Sequence, residues 1–157
     1  MEKNKVFLIF FLISIIGIIT SSISFYYVYK ANSSPPACYF SGNLSQTSIS
    51  LDCLKVLKSS YSSLQIKIGN IVIKENLDIL AMIYFSIGLI FSLLVLIKYS
   101  IIGELIWSII GFLFVPYLIY LEIYKIRSIC IYCTTMHILI ISQLILSIYF
   151  FIKLSKI

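Results

Sequence analysis

Four apolar windows constrain this chain more than any other feature: Val6 to Tyr29, Ile79 to Ile97, Leu105 to Leu121 and Ser128 to Ile152. None contains a Lys, Arg, Asp or Glu. A helix that crosses a bilayer needs roughly 20 consecutive apolar residues, and each window meets or nearly meets that length. With 61% hydrophobic and only 11% charged residues, the chain lacks the polar surface a soluble globule requires. The expected fold is therefore an all-α membrane protein, a bundle of four transmembrane helices forming a single domain over residues 1–157. Charges close the windows (Lys5 and Lys30, Asp78 and Lys98, Glu104 and Glu122, Arg127 and Lys153) and are read as markers of the helix ends. The first run is longer than the core of a signal peptide and no small-x-small cleavage site follows it, so it is expected to stay as an anchor.

One stretch, residues 30–77, breaks the pattern. Its charges and its many Ser and Asn residues keep it out of hydrocarbon, which makes it a long extramembrane loop. Ala31 to Pro36 has the composition of an irregular segment. Beyond it, Asp52 is a plausible N-cap, and Cys53, Val56, Leu57 and Tyr61 fall on about one helical face, predicting a short amphipathic helix over the mouth of the bundle. The other connections are short, so consecutive spans should be antiparallel neighbours. The net charge of +6 forms no stripe or run of the kind that binds nucleic acid.

Counting spans gives a further result. With four crossings the long loop and the turn from Glu122 to Arg127 lie on one side, so Cys38, Cys53, Cys130 and Cys133 share a membrane face. Which compartment that face meets stays open. Disulfide chemistry points to an extracytoplasmic face. Lysine counting does not support it: Lys30, Lys55, Lys58, Lys67, Lys74, Lys125 and Arg127 lie on the cysteine side, against Lys3, Lys5, Lys98, Lys153 and Lys156 on the other.

Cys130-Ile131-Tyr132-Cys133 opens the last span. An i, i+3 pair in a first helical turn brings two sulfurs within bridging reach, beside unpaired N–H groups at the positive end of the helix dipole. A reactive dithiol is expected there. The competing structural reading is a pair of small packed hydrophobes. The loop pair Cys38 and Cys53 reads equally as a static staple or as an exchange partner of the CxxC pair. His137, the only histidine, falls on the same helical stripe as Cys130 and Cys133. It offers a hydrogen bond to a quinone carbonyl, a structural bond to a neighbouring helix, or, with the cysteines, a metal ligand. Glu122 is read as an interfacial anchor or a partner of Arg127, and Trp107 and most tyrosines as belt or lipid-facing residues.

These residues resemble the vitamin K epoxide reductase family, in its prokaryotic disulfide-forming branch. Three segments carry the resemblance: Tyr117-Leu118-Ile119-Tyr120-Leu121-Glu122 leading into Ile129-Cys130-Ile131-Tyr132-Cys133-Thr134-Thr135-Met136-His137; Asp52-Cys53-Leu54-Lys55-Val56-Leu57-Lys58-Ser59-Ser60-Tyr61; and the four-span layout. The resemblance implies a quinone cofactor facing Cys133, exchange between Cys130 and Cys53, and Cys38 as the residue that meets the thiols of a partner. Ser59 matches the family's serine near the quinone headgroup, and His137 falls where the family places a polar or aromatic residue near it. The implied function is quinone-dependent disulfide formation, with reduction of a quinone epoxide as the alternative. The implied partner is a separate thioredoxin-fold protein. Fourteen residues between Cys38 and Cys53, and no Gly-x-Pro turn after Tyr61, depart from the pattern.

Overall fold

The computed structural model describes residues 2–39, 50–68, 71–94 and 100–155. Its elements in chain order are α1 (Glu2–Phe25) with a π-helical turn (Tyr26–Lys30), a 3-10 turn (Pro36–Tyr39), β1 (Ser50–Leu51), α2 (Cys53–Leu57), β2 (Ser63–Ile68) and β3 (Ile71–Asn76). They continue with α3 (Leu77–Leu94), α4 (Ser100–Tyr120) with a second π-helical turn (Leu121–Ile126), β4 (Ser128–Ile129) and α5 (Ile131–Ser155). Four segments are long and apolar enough to cross a membrane: Asn4–Lys30, Leu77–Leu94, Ile101–Ile126 and Ile131–Lys153. The expected four-helix membrane bundle is the fold. Helix α1 packs on α3 and α5, and α4 packs on α3 and α5, which closes a ring of antiparallel neighbours.

The bundle is inside-out relative to a soluble protein. Large apolar side chains such as Leu8, Leu12, Ile90, Leu113, Ile138 and Ile145 point outward. The interior mixes small and polar residues with a few large apolar ones such as Phe10 and Phe85. Buried positions on α1 recur every three or four residues, through Val6, Phe10, Ser14, Gly17, Ser21, Ser24 and Val28. On α4 they are Ile101, Glu104, Ser108, Gly111 and Val115. Lipid supplies no hydrophobic force between helices, so close approach of small residues and interhelical hydrogen bonds do the packing. A Cβ at Gly17 would fall within the Phe85 ring, which is itself fully buried. Some interior serines satisfy themselves on their own helices, Ser21 Oγ donating to the Gly17 carbonyl at 2.8 Å and Ser147 Oγ to the Gln143 carbonyl at 2.7 Å.

Several boundaries differ from the sequence reading. The third span runs beyond Leu105–Leu121 at both ends. The fourth begins at Ile131, because Ser128 and Ile129 are drawn into a strand. The second ends in the described residues at Leu94; its expected end at Ile97 lies outside them. Asp78, Glu104 and Glu122 do not mark the helix ends in water: all three are buried within helices. Helix α2 stops at Leu57, so Cys53, Val56 and Leu57 are buried as expected while Tyr61 lies beyond the helix, 46% exposed. Trp107 is not a belt residue only, since its Nε1 donates to the Tyr84 carbonyl at 3.1 Å and its ring stacks on Tyr84.

The loop also holds an antiparallel hairpin, β2 with β3, in the register Ser63 to Asn76 through Ile68 to Ile71. Its alternation of Leu64, Ile66 and Ile68 with Gln65 and Lys67 is a strand signature, and the hairpin leads directly into α3. The Ser62 carbonyl accepts from the Leu77 backbone N–H at 2.9 Å, which ties the start of the hairpin to the start of the helix.

Candidate functional site

Two short strands bring the cysteines together. β1 pairs with β4 in parallel, Ser50 opposite Ser128 and Leu51 opposite Ile129, and the Asp52 N–H donates to the Ile129 carbonyl at 3.2 Å. A parallel pairing of segments so distant in sequence places the residues that follow each strand side by side. Those residues are Asp52, followed at once by Cys53, which opens α2, and Cys130, which precedes α5; both cysteines enter the same buried core. Asp52 sits just before α2 as expected, its carboxylate accepting from the Lys55 N–H at 2.9 Å. Tyr29, at the end of the first span, holds the far end of α2 by donating its hydroxyl to the Leu57 carbonyl at 2.9 Å.

All four cysteines meet in one cluster. Cys53 and Cys130, 1% and 0% exposed, lie in a buried core with Val28, Val56 and Leu57, against which Tyr29, Cys38, Ile126, Tyr132 and Cys133 pack. The two pairs are in different states. Cys38 and Cys53 form a disulfide with Cα atoms 6.0 Å apart, while Cys130 and Cys133 are free thiols. Cys38 is held by a 3-10 turn in which its N–H donates to the Pro35 carbonyl at 2.9 Å. Of the disulfide's two sulfurs, Cys53 faces the interior and Cys38 lies nearer the surface.

Cys130 acts as the N-cap of α5. Its carbonyl accepts from the Thr134 N–H at 2.9 Å, and its Sγ accepts from the Cys133 N–H at 3.4 Å. This geometry gives the buried sulfur a donor that steadies developing negative charge. Cys133, one turn on, is half-buried. His137 lies one turn further along α5, 6% exposed. Ser59 sits just past α2 and donates its hydroxyl to the Val56 carbonyl at 2.8 Å. It lines an open hollow of about 450 Å³ with Lys55, Lys58, Ser60, Tyr61, Lys125 and Ile126. The cysteines and His137 thus follow one stripe and its neighbour, whereas Ser59 borders them from the loop side.

Two carboxylates that the sequence reading treated as helix-end charges belong to the site. Asp78 is buried at the start of α3, where Ser24 Oγ donates to its Oδ1 at 3.2 Å, and its field reaches Tyr29 and Cys133. Glu122, 7% exposed, interacts with the Cys130 backbone N–H and with the Cys133 thiol. Its burial sets it inside the bundle rather than at the membrane surface, where an anchor was expected, and among the described residues no ion pair with Arg127, the other expected role, is found. Arg127 takes a left-handed conformation, φ 54°, and its backbone N–H closes the helix on the Glu122 carbonyl. A signal for this was present: Ile101, Ser108, Val115 and Glu122 recur every seven residues along the interior face of the third span.

The model of the vitamin K epoxide reductase family matches residues 8–148. The chain belongs to that family. A search of curated proteins finds no match. Membership makes the chain an oxidoreductase of the quinone-linked thiol/disulfide or quinone-epoxide type, and an integral, multi-pass membrane protein.

Proposed function

We propose that this family member is a quinone-dependent thiol oxidase that passes electrons inward from a thioredoxin-fold partner. The supporting observation is the single buried cluster in which an oxidised outer pair, Cys38–Cys53, faces a reduced inner pair, Cys130/Cys133. The partner's dithiol reduces the outer disulfide at Cys38; Cys53 then reduces an inner disulfide at Cys130 by thiolate exchange. Each transfer moves two electrons and two protons.

The residues present fit a quinone. Cys133 is half-buried at the mouth of the bundle, with Tyr132 and apolar side chains packed around the cysteine cluster and the His137 imidazole one turn away. His137 and Ser59 would hold the ring's oxygens, and Cys133 would face it. When bound, the quinone accepts the two electrons and two protons released as the inner pair closes to a disulfide.

The reading is tested with purified protein, a reduced thioredoxin-fold protein and a soluble quinone. Quinone reduction is expected, and Cys130→Ser should drop it to the uncatalysed background. Full activity in that variant, or turnover only with a quinone epoxide, would overturn the proposal. We place the cysteine face outside the cytoplasm, where a disulfide product persists. In intact cells a membrane-impermeant maleimide should label Cys38 after mild reduction; labelling only after lysis would reverse the orientation.

A further inference from the structure

Oxidising a dithiol releases two protons, and the inner pair sits where water is scarce. Cys130 is fully buried and Cys133 half-buried. The nearest group built to receive a proton is Glu122. It is the only acidic residue of the second π-helical turn, and that turn sets both Leu121 and Glu122 inward while Tyr124 and Lys125 face out. Its carboxyl group is buried in the turn that leads through β4 to Cys130, and it interacts with the Cys130 backbone and the Cys133 side chain. The other titratable groups facing Cys133 are Cys130, Tyr29 from the end of the first span and Asp78 from α3. Asp78 is engaged by Ser24. The cations of the same turn, Lys125 and Arg127, are exposed.

We propose that Glu122 is the proton acceptor of the inner cysteine pair, taking the Cys133 thiol proton as the Cys130–Cys133 disulfide forms. The S–H bonds of both cysteines break and one S–S bond forms. Two electrons leave the sulfurs for the oxidant. One proton passes through Glu122 and the other leaves from Cys130, both ending on the reduced oxidant. Glu122 is regenerated as the carboxylate, ready to accept a hydrogen bond from the next Cys133 thiol. Only the dithiol can donate that bond, so the interaction with Glu122 also favours the reduced form of the pair.

The inference rests on the proposed thiol-oxidase reading, but its decisive readouts need no quinone. In a redox titration against dithiothreitol, Glu122→Gln should favour the disulfide by about tenfold, or about 30 mV, as a charged hydrogen bond is exchanged for a neutral one. In the wild-type protein, the infrared difference spectrum between reduced and oxidised inner pair should show a shift of a carboxylate band as the Cys133 hydrogen bond to Glu122 is lost on oxidation, and Glu122→Gln should lack it. Turnover of Glu122→Gln should fall on the order of 10²-fold, and acetate should restore part of the rate of Glu122→Ala. The Cys38–Cys53 disulfide, checked by mass spectrometry, reports that each variant is folded. An unchanged equilibrium constant or an unshifted carboxylate band overturns the role of Glu122 while leaving quinone reduction standing. Absent quinone reduction with both signals present overturns the oxidase reading alone.

Discussion

Purified Cys133→Ala is expected to accumulate as a Cys130–Cys53 mixed disulfide with Cys38 released as a free thiol. The two bonded sulfurs would be the two most buried ones, and the β1–β4 pairing already holds them side by side. Cys130 carries its own donor, the N–H of residue 133, which is a backbone group and survives the substitution. It therefore retains what it needs to attack Cys53 in the outer disulfide. In the proposed relay the adduct is resolved either by Cys133 attacking Cys130 or by Cys38 attacking Cys53; without Cys133, alkylation of the released Cys38 closes the remaining exit. Mass spectrometry of peptides after alkylation should find most chains in this form, and a Cys53→Ser companion should show none. A Cys133→Ala protein that keeps Cys38–Cys53 intact and Cys130 free would mean that the two pairs do not exchange, and the outer bond would then be a staple.

The membrane fold was legible because lipid is a demanding solvent. Every backbone polar group in the hydrocarbon must be satisfied within the segment, so spans must be long, apolar and helical, and four such windows are visible in the sequence. Parity of crossings put the four cysteines on one face for the same reason. What the windows did not show is the fate of an acidic residue beside an apolar run, which either meets water or continues the interior stripe. Asp78, Glu104 and Glu122 take the second course. Hydropathy treats both alike, and only the seven-residue spacing distinguishes them. The approach of Cys53 to Cys130 was implied by family resemblance, while the device that achieves it was not readable. β1 and β4 are two residues each, too short to carry a periodic pattern, and their register is set by tertiary packing. The hairpin was missed in the sequence reading, although Leu64, Ile66 and Ile68 alternate with Gln65 and Lys67 in the pattern of a strand.

Gln143→Leu should cost about 1–3 kcal/mol of stability, the penalty for leaving a buried polar group without its partner. Glu104 is fully buried in α4, and Gln143 Nε2 from α5 donates to its Oε1. Its Oε2 has no hydrogen-bond partner among the described residues. The Gln143 side-chain oxygen Oε1 in turn accepts from the Tyr84 hydroxyl of α3 at 3.3 Å, so one side-chain amide links three helices. Leucine would fill the volume but remove the only hydrogen-bond donor to Glu104 among the described residues and strand the Tyr84 hydroxyl with it. The double variant Glu104→Leu/Gln143→Leu removes donor and acceptor together and should regain most of the loss, since a buried polar pair is costly mainly when halved. Unfolding of the detergent-solubilised protein by a denaturing detergent measures both. Equal stability of Gln143→Leu and the native chain would show that this contact contributes nothing to packing. The redox chemistry should be untouched in either case, because Gln143 lies ten residues beyond Cys133, about 15 Å along α5. A stability loss without loss of quinone reduction would thus separate the bundle's polar lock from the cysteine relay.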